Sequence, residues 1–520
     1  MDPQSNSTSF PWTIESSPLS AYWTPRTGYY LTIFTVLLSV WLFLRSKPDS
    51  SKLCVPFYKT SKLKWIFDAE SQIVKSYKEF QDQVYQIKAT EGTQAIIPPK
   101  FIAEIKGLPE DTLSATEAVA DALQTRYTNF TPGHNGDMLS LLVRTRLTQN
   151  LAELIPQLKS ELEHYIGTEF PACDDWTPVK WQPFALRGIA RLSGRAFVGP
   201  WLNREEQWLK VTIDFAIDVF MSVIKLQFFP EWFRPIAQFA VSDLRKIRKD
   251  VDIAKSLLKP LLEERIRDME ISACHEPPND LMQWLIEALP AEEKADVDVH
   301  ARLQLILAAA SIHTTNNLLF ECMADLADHP EIQEELREEA YQILEIENGW
   351  ARKESMTKLK KLDSFMREVQ RLRGNVIWAA SFIRKVIKPI DLSDGTHLPA
   401  GTRVLAPQAG ISIDDQFFPN PTELDPLRFY HMRQESAEAS NRWQFTSLND
   451  TNLNFGAGKH ACPGRFFAGN EIKLILAFFL INYDVRLKKG DKRPQPMALV
   501  MTKGPNPNTE FEFRRRQLAN

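Results

Sequence analysis

Cysteine is the scarcest residue in this chain. Cys54, Cys173, Cys274, Cys322 and Cys462 are the five in 520 residues, and no two of them form a CxxC pair. Paired-cysteine zinc sites are thereby excluded. So is a disulfide scaffold, which small secreted domains use in place of a large core. The expectation is a reduced main body facing the cytosol. An excess of positive charge is also lacking: 62 Lys and Arg stand against 66 Asp and Glu, for a formal net charge of −4. Nucleic-acid binding usually needs a basic face, so no nucleic acid is expected as a partner. Internal repeats, low-complexity tracts and a separate flavin or dinucleotide motif are absent as well.

Long uncharged apolar runs are rare. The one with the length of an anchor is residues 28–44, GYYLTIFTVLLSVWLFL. As a helix it would rise about 25 Å, a little short of the ~27 Å hydrocarbon core of an endoplasmic reticulum bilayer. Tyr22, Trp23, Tyr29 and Tyr30 are placed to cover the deficit at one interface. A cleaved signal peptide would carry its basic residues ahead of the run. Here Arg26 precedes it, while Arg45, Lys47, Lys52 and Lys59 follow. The positive-inside rule then puts the N-terminus in the lumen and everything after Arg45 in the cytosol. The expected organisation is a lumenal segment (1–27), a single transmembrane anchor (28–44), a basic proline-containing linker (45–65) and one domain (66–520). The expected location is the endoplasmic reticulum membrane, with Asn6 in Asn6-Ser7-Thr8 as a lumenal glycosylation acceptor.

Behind the linker the apolar periodicity is mainly helical, over 139–165, 208–226, 241–270, 296–327 and 330–347. Turn-rich, strand-like sequence follows at 392–405, then a helix from about 464 to 482. The predicted fold class is mainly α with a small β region. Residues 303–320 (LQLILAAASIHTTNNLLF) hold 18 residues without Asp, Glu, Lys or Arg. Ser311, His313, Thr314, Asn316 and Asn317 make them too polar for lipid, so they predict a central core helix lining a site.

The segment Phe455-Gly-Ala-Gly458-Lys-His460-Ala-Cys462-Pro-Gly464-Arg-Phe-Phe-Ala468 surrounds one cysteine with glycines. Gly456 and Gly458 permit a tight turn with positive φ. The helix that opens near Gly464 adds its positive end, which favours a thiolate. A glycine at 464 also lets a flat macrocycle approach the backbone. For a lone cysteine, burial as an inert core residue is the plainer alternative.

The whole string resembles the haem loop of the cytochrome P450 superfamily, F-x-x-G-x-[RH]-x-C-x-G. Phe455, Gly458, His460, Cys462 and Gly464 fill every fixed position. The resemblance implies the cytochrome P450 fold and haem b, with Cys462 as axial ligand to its iron. It also implies Phe455 beside the sulfur and His460 at a propionate. A thiolate ligand favours O–O cleavage. Three E-x-x-R strings are present, Glu264/Arg267, Glu334/Arg337 and Glu368/Arg371. Order along the chain selects Glu368 and Arg371, since Asp425-Pro426-Leu-Arg428-Phe429 follows like the family's P-x-R-F. The implied Glu368–Arg371–Arg428 network is architectural.

Ala310-Ser-Ile-His-Thr-Thr315 resembles the family's oxygen-activating [AG]-G-x-[DE]-T-T, placing Thr314 on the threonine that assists proton delivery. Ser311 stands where the family has glycine, and His313 where it has an acid. Both His313 and Thr314 are catalytic candidates, with core polar groups bonded to helix carbonyls as the plainer reading. No W-x-x-x-R occurs near 137–151, which leaves Arg144 or Arg146 as poor substitutes. Arg384 sits where the family often supplies a propionate-binding arginine. Leu307, Ala310, Val376 and Phe382 are the candidate substrate contacts. The aromatic stretch 226–235 (LQFFPEWFRP) is a candidate for dipping into the bilayer, or an ordinary loop.

The resemblance covers roughly 66–510 and is nearest to fungal members that oxidise terpenoid or indole-type natural products. It implies a monooxygenase that inserts one atom of O2 into a hydrophobic small molecule. Electrons would come from NADPH through a separate membrane-bound reductase. A haem-thiolate enzyme performing rearrangement, isomerisation or dehydration is the first alternative, and a non-catalytic haem sensor the second.

Overall fold

Helices dominate the computed structural model, which describes residues 34, 38, 53–90, 92–271, 276–350, 352–374, 381–499 and 502–517. The longer helices among the described residues include α1 (Lys62–Glu79), α2 (Leu151–Glu169), α3 (Trp181–Phe197), α4 (Glu206–Gln227), α5 (Asp243–Ile271), α6 (Val297–Asp328), α7 (Pro330–Tyr341), α8 (Lys360–Arg373) and α9 (Arg465–Asn482). Helix α6 is the axis. Its 32 residues extend about 48 Å at the usual rise per residue, and α3, α4, α5, α8 and α9 all pack on it. The Asp296 carboxylate starts it by accepting from the Asp298 amide at 2.8 Å, an N-cap that satisfies an otherwise unpaired donor. Next comes α7, opened by Pro330 at its first turn, where a missing N–H costs nothing. Gly374, with φ +68°, follows the end of α8.

Among the described residues the strands form four sheets, two of them two-stranded hairpins and two larger ones beside this helical body. The larger contains β1 (Phe57–Tyr58), β2 (Tyr85–Ala89), β3 (Gly92–Ile96), β4 (Leu113–Ser114), β6 (Ser381–Val386) and β7 (Arg403–Ala406). Their order is β1-β2-β3-β7-β6-β4. The β2–β3 hairpin is antiparallel, with Tyr85 opposite Ile96, while β3 runs parallel to β7. The smaller is antiparallel, β8 (Tyr483–Arg486), β9 (Glu510–Arg515) and β5 (Thr177–Lys180), in that order. Aromatic rings bolt it to the end of α9. Phe170 lies 5.2 Å from Phe479 and 5.3 Å from Phe513, both edge-on, the geometry that ring quadrupoles favour.

Two expectations change here. The periodic stretch 139–165 is not one helix: Gly136–Leu142 runs into a π-turn at Val143–Leu147, and α2 starts afresh at Leu151. The β2–β3 hairpin lies inside sequence that reads as mainly helical. The four described cysteines, Cys54, Cys173, Cys322 and Cys462, are free thiols. Of the run 28–44, Phe34 and Leu38 are described, both helical and exposed. The rest of it, with Asn6, lies outside the described residues. Among the described residues no helix is long and apolar enough to cross a membrane.

Candidate functional site

Cys462 sits at the mouth of α9. Gly456 (φ +72°) and Gly458 (φ +64°) turn the chain ahead of it, and the Cys462 amide donates to the Phe455 carbonyl at 2.7 Å to close the loop. A Cβ at Gly458 would come within 2.3 Å of the Lys106 carbonyl oxygen, so both conformation and space demand glycine there. The backbone N–H groups of Gly464 and Arg465 point at the sulfur. Burial pushes the Cys462 thiol up, while those two donors and the Arg465 charge oppose it. Phe455 is buried edge-on against Phe445, 5.2 Å between ring centres. A Cβ added at Gly464 would meet only Val143 Cγ1 of the π-turn, at an ordinary 3.7 Å.

One face of α6 stays open. Leu307, Ala310, Ser311 and Thr314 keep accessible surface in mid-helix, although Ala308, Ala309, Ile312 and Thr315 between them are buried. Spacings of three, four and seven put these four side chains on one stripe. The Thr314 hydroxyl donates to the Ala310 carbonyl at 2.8 Å and lies 3.2 Å from that of Ser311. His313 is engaged elsewhere: its Nε2 donates to the Ile213 carbonyl of α4 at 2.9 Å. Burial holds its imidazole below the usual histidine range, with the Ile213 bond opposing. The structure thus brings Thr314 and Ser311 together with Leu307 and Ala310, and seats His313 against α4.

Behind the loop, Glu368 is fully buried. It accepts from Arg371 Nε at 2.8 Å and Nη2 at 2.7 Å, and from Arg428 Nε at 3.1 Å. Both arginines also cap loop carbonyls, Arg371 those of Ser412 and Pro421, Arg428 those of Pro419 and Asn420. The other two E-x-x-R strings are different in kind. Glu264 and Arg267 are both exposed. Glu334 is 60% exposed while pairing with Arg337, which also bonds the Leu480 carbonyl and Asp484.

Sequence reading missed a second buried anchor. Asp363, one turn before Glu368 on α8, holds Lys473 of α9 at 2.6 Å, Arg433 at 3.1 Å and the Phe445 amide at 2.8 Å. The segment between α8 and α9 is therefore fastened by two carboxylates of one helix. Arg367 between them is buried with its guanidinium 4.7 Å above the Phe429 ring. Desolvation pulls it down to about 9.

Arg384 meets a haem site on one further count. It is buried, donates to the Ile383 carbonyl at 2.8 Å and to Ala457 of the cysteine loop at 3.4 Å. No carboxylate among the described residues forms an ion pair with it, and burial pulls it down to about 10. A buried guanidinium beside the cysteine loop wants an anion, which a haem propionate would supply. His460 lies next to it, with Nε2 2.6 Å from Glu110 Oε1 but off the hydrogen-bond direction. The donor set around the Cys462 sulfur, the open α6 stripe and this cationic corner together fit the group.

The remaining expectations fare unevenly. Arg146 is exposed and turned to Glu287, 3.6 Å away, and Arg144 is exposed. Phe382 is buried in the strained left-handed region (φ +54°), with the Arg384 guanidinium 4.2 Å over its ring. It is thus a platform for Arg384 instead of an open substrate contact. Val376 lies outside the described residues.

The cytochrome P450 family model matches residues 210–511. The chain is similar to the cytochrome P450 monooxygenase AN1598 of Emericella nidulans, 34% identical over 505 residues, covering 95% of this chain and 94% of the relative. It is 35% identical to the cytochrome P450 monooxygenase BOA4 of Botryotinia fuckeliana, over 86% of this chain and 90% of that one. To the ent-kaurene oxidase of Gibberella intermedia it is 31% identical, over 88% and 85% respectively.

Proposed function

The chain belongs to the cytochrome P450 family, and we propose that it is a haem-thiolate monooxygenase of fungal secondary metabolism acting on an apolar terpenoid or indole-derived scaffold. The observation that carries the reading is the Cys462 loop, with two backbone N–H groups aimed at one sulfur at the mouth of α9. Haem, when bound, supplies the reductive activation of O2 and the transfer of one oxygen atom to a C–H bond.

The chain's own residues do the rest. Cys462 is the ligand, and the Gly464 and Arg465 amides stabilise its thiolate. Arg384 and His460 hold the propionates. Glu368, with Arg371 and Arg428, fixes the segment that carries the loop. Leu307 and Ala310 present an apolar surface to the substrate. The Thr314 hydroxyl, bonded back to Ala310, swings toward the open stripe to hold a proton there. A terpenoid or indole class is supported by the ent-kaurene oxidase relative and by the apolar stripe.

For electrons the reading takes NADPH, by way of a separate membrane-bound reductase. Residues 28–44 anchor that domain to the endoplasmic reticulum, N-terminus in the lumen, with Asn6 glycosylated there. The exposed apolar side chains after α4 support a second membrane contact: Trp232 is 72% exposed, Ile236 62% and Phe239 76%. Such a local cluster is the kind of surface that lipid covers.

Turnover with purified reductase, NADPH and isotopically labelled O2 against a panel of terpenoid and indole scaffolds tests the reading. One labelled oxygen atom in the product is expected. Conversion without label would mean rearrangement or dehydration instead.

A further inference from the structure

A cleft of about 450 Å³ opens between α4, α5 and the first half of α6, and Arg126, Arg248, Lys255 and Arg302 line it together with Asp252. Phe215 of α4, Ile247 of α5 and Ile306 of α6 give it an apolar floor. Two of the four cations are offset. Asp298 holds Arg302 at 2.6 Å and Lys255 at 3.2 Å, and Asp252 lies 3.5 Å from Lys255. The other two are not. Arg126 rests 5.9 Å from the Tyr127 ring, and neither it nor Arg248 forms an ion pair or hydrogen bond among the described residues. The cleft therefore combines an apolar floor with an excess of positive charge on its wall.

This cleft and the open stripe share one side of α6. Residues 302, 306, 310 and 314 recur every four positions and all keep accessible surface, so they follow one slowly winding line along the helix. Ile306 on the cleft floor stands one turn from Arg302 and one turn from Ala310. Along the axis Ala310 lies about 12 Å beyond Arg302, and Thr314 about 18 Å beyond it.

We propose that the cleft selects an amphipathic acid as substrate: a carboxylate held by Arg126 and Arg248, with its apolar body laid along α6 toward Thr314. This rests on the monooxygenase reading and deepens it, adding one acid group to the apolar scaffold. A neutral scaffold gains only from apolar area and leaves both guanidiniums unused. Two like charges on one cleft repel each other, and an anion between them reverses the sign of that interaction. A guanidinium presents paired N–H donors that match the two oxygens of a carboxylate. The spacing along α6 then keeps the acid well away from Thr314, and the end of the body remote from the acid meets the oxygen site.

The test is equilibrium dialysis of the haem-loaded full chain against two matched pairs, palmitate with methyl palmitate and abietic acid with methyl abietate. In at least one pair the acid should bind about tenfold more tightly than its ester, the scale of a charge-assisted contact. That margin should shrink as salt is added. Combining Arg126→Gln with Arg248→Gln should bring acid and ester together. Lys249→Gln, at an exposed neighbouring position of α5, should keep the wild-type margin. Equal binding of acid and ester in both pairs overturns the proposal, as does a margin that survives the double variant. Loss of the margin in Lys249→Gln as well overturns it too, since diffuse surface charge would then explain the effect. The double variant should retain the thiolate signature of the reduced carbon monoxide complex. Absence of that signature from the wild type would instead remove the monooxygenase reading, whatever the dialysis shows.

Discussion

Glu368 and Arg428, sixty residues apart in sequence, meet at 3.1 Å with both side chains nearly dry. The same carboxylate holds Arg371 through both of its oxygens. Removing it strands two buried guanidiniums, and breaking a buried pair typically costs about 3–5 kcal/mol. Glu368→Ala should therefore yield little haem-loaded protein, measured as haem per polypeptide. Glu264→Ala, at an exposed position, should match the wild type. Equal haem recovery from both would dismiss the network as the fastening of the loop.

His313 is expected to act through packing. Its Nε2 bond to the Ile213 carbonyl ties α6 to α4. His313→Ala removes that tie, while the carbonyl keeps its helical partner within α4, at a cost of about 0.5–1.5 kcal/mol for one hydrogen bond, readable as a lower Tm. Product formed per NADPH consumed should stay near the wild-type value, whereas Thr314→Ala should lower it sharply. A large drop in coupling in His313→Ala, no greater in the double variant, would make the two residues one catalytic unit.

Asp250 of α5 gives a pH dependence with a definite sign. Burial, followed by the nearby Asp218 and Asp214 charges, raises its carboxyl from 3.8 to about 6 against the opposing Lys210 and Lys246. A raised folded value means that its favourable contribution is complete below about pH 4 and is lost as pH rises through about 6. At one pKa unit per 1.36 kcal/mol, the penalty at neutral pH is on the order of 1–3 kcal/mol. Asp250→Asn should raise Tm at pH 7 and flatten its change between pH 4 and 7. An unchanged profile would show that the carboxyl is relieved in some other way.

The site was more legible in the sequence than its surroundings. The turn before Cys462, the helix after it and the polar middle of α6 are local, so residue type and spacing carry them. Selecting Glu368 among three like strings took order along the chain, since i, i+3 spacing is common to all three. Asp363 gave no such signal because its partners, Arg433 and Lys473, lie 70 and 110 residues away. The β2–β3 hairpin hid for a different reason: its buried residues include Gln86, Thr90 and Gln94, which blunt the alternation expected of a strand. The break at Val143–Leu147 is a π-turn against Gly464, a tertiary fit that periodicity does not encode.

The central claim is that Cys462 holds haem iron as a thiolate. The most direct measurement is the absorption difference spectrum of the dithionite-reduced protein on adding carbon monoxide, for the wild type and Cys462→Ser. The wild type is expected to give the thiolate-ligated signature and the variant to lose it together with all product formation. Retention of both the signature and full activity in Cys462→Ser would contradict the account.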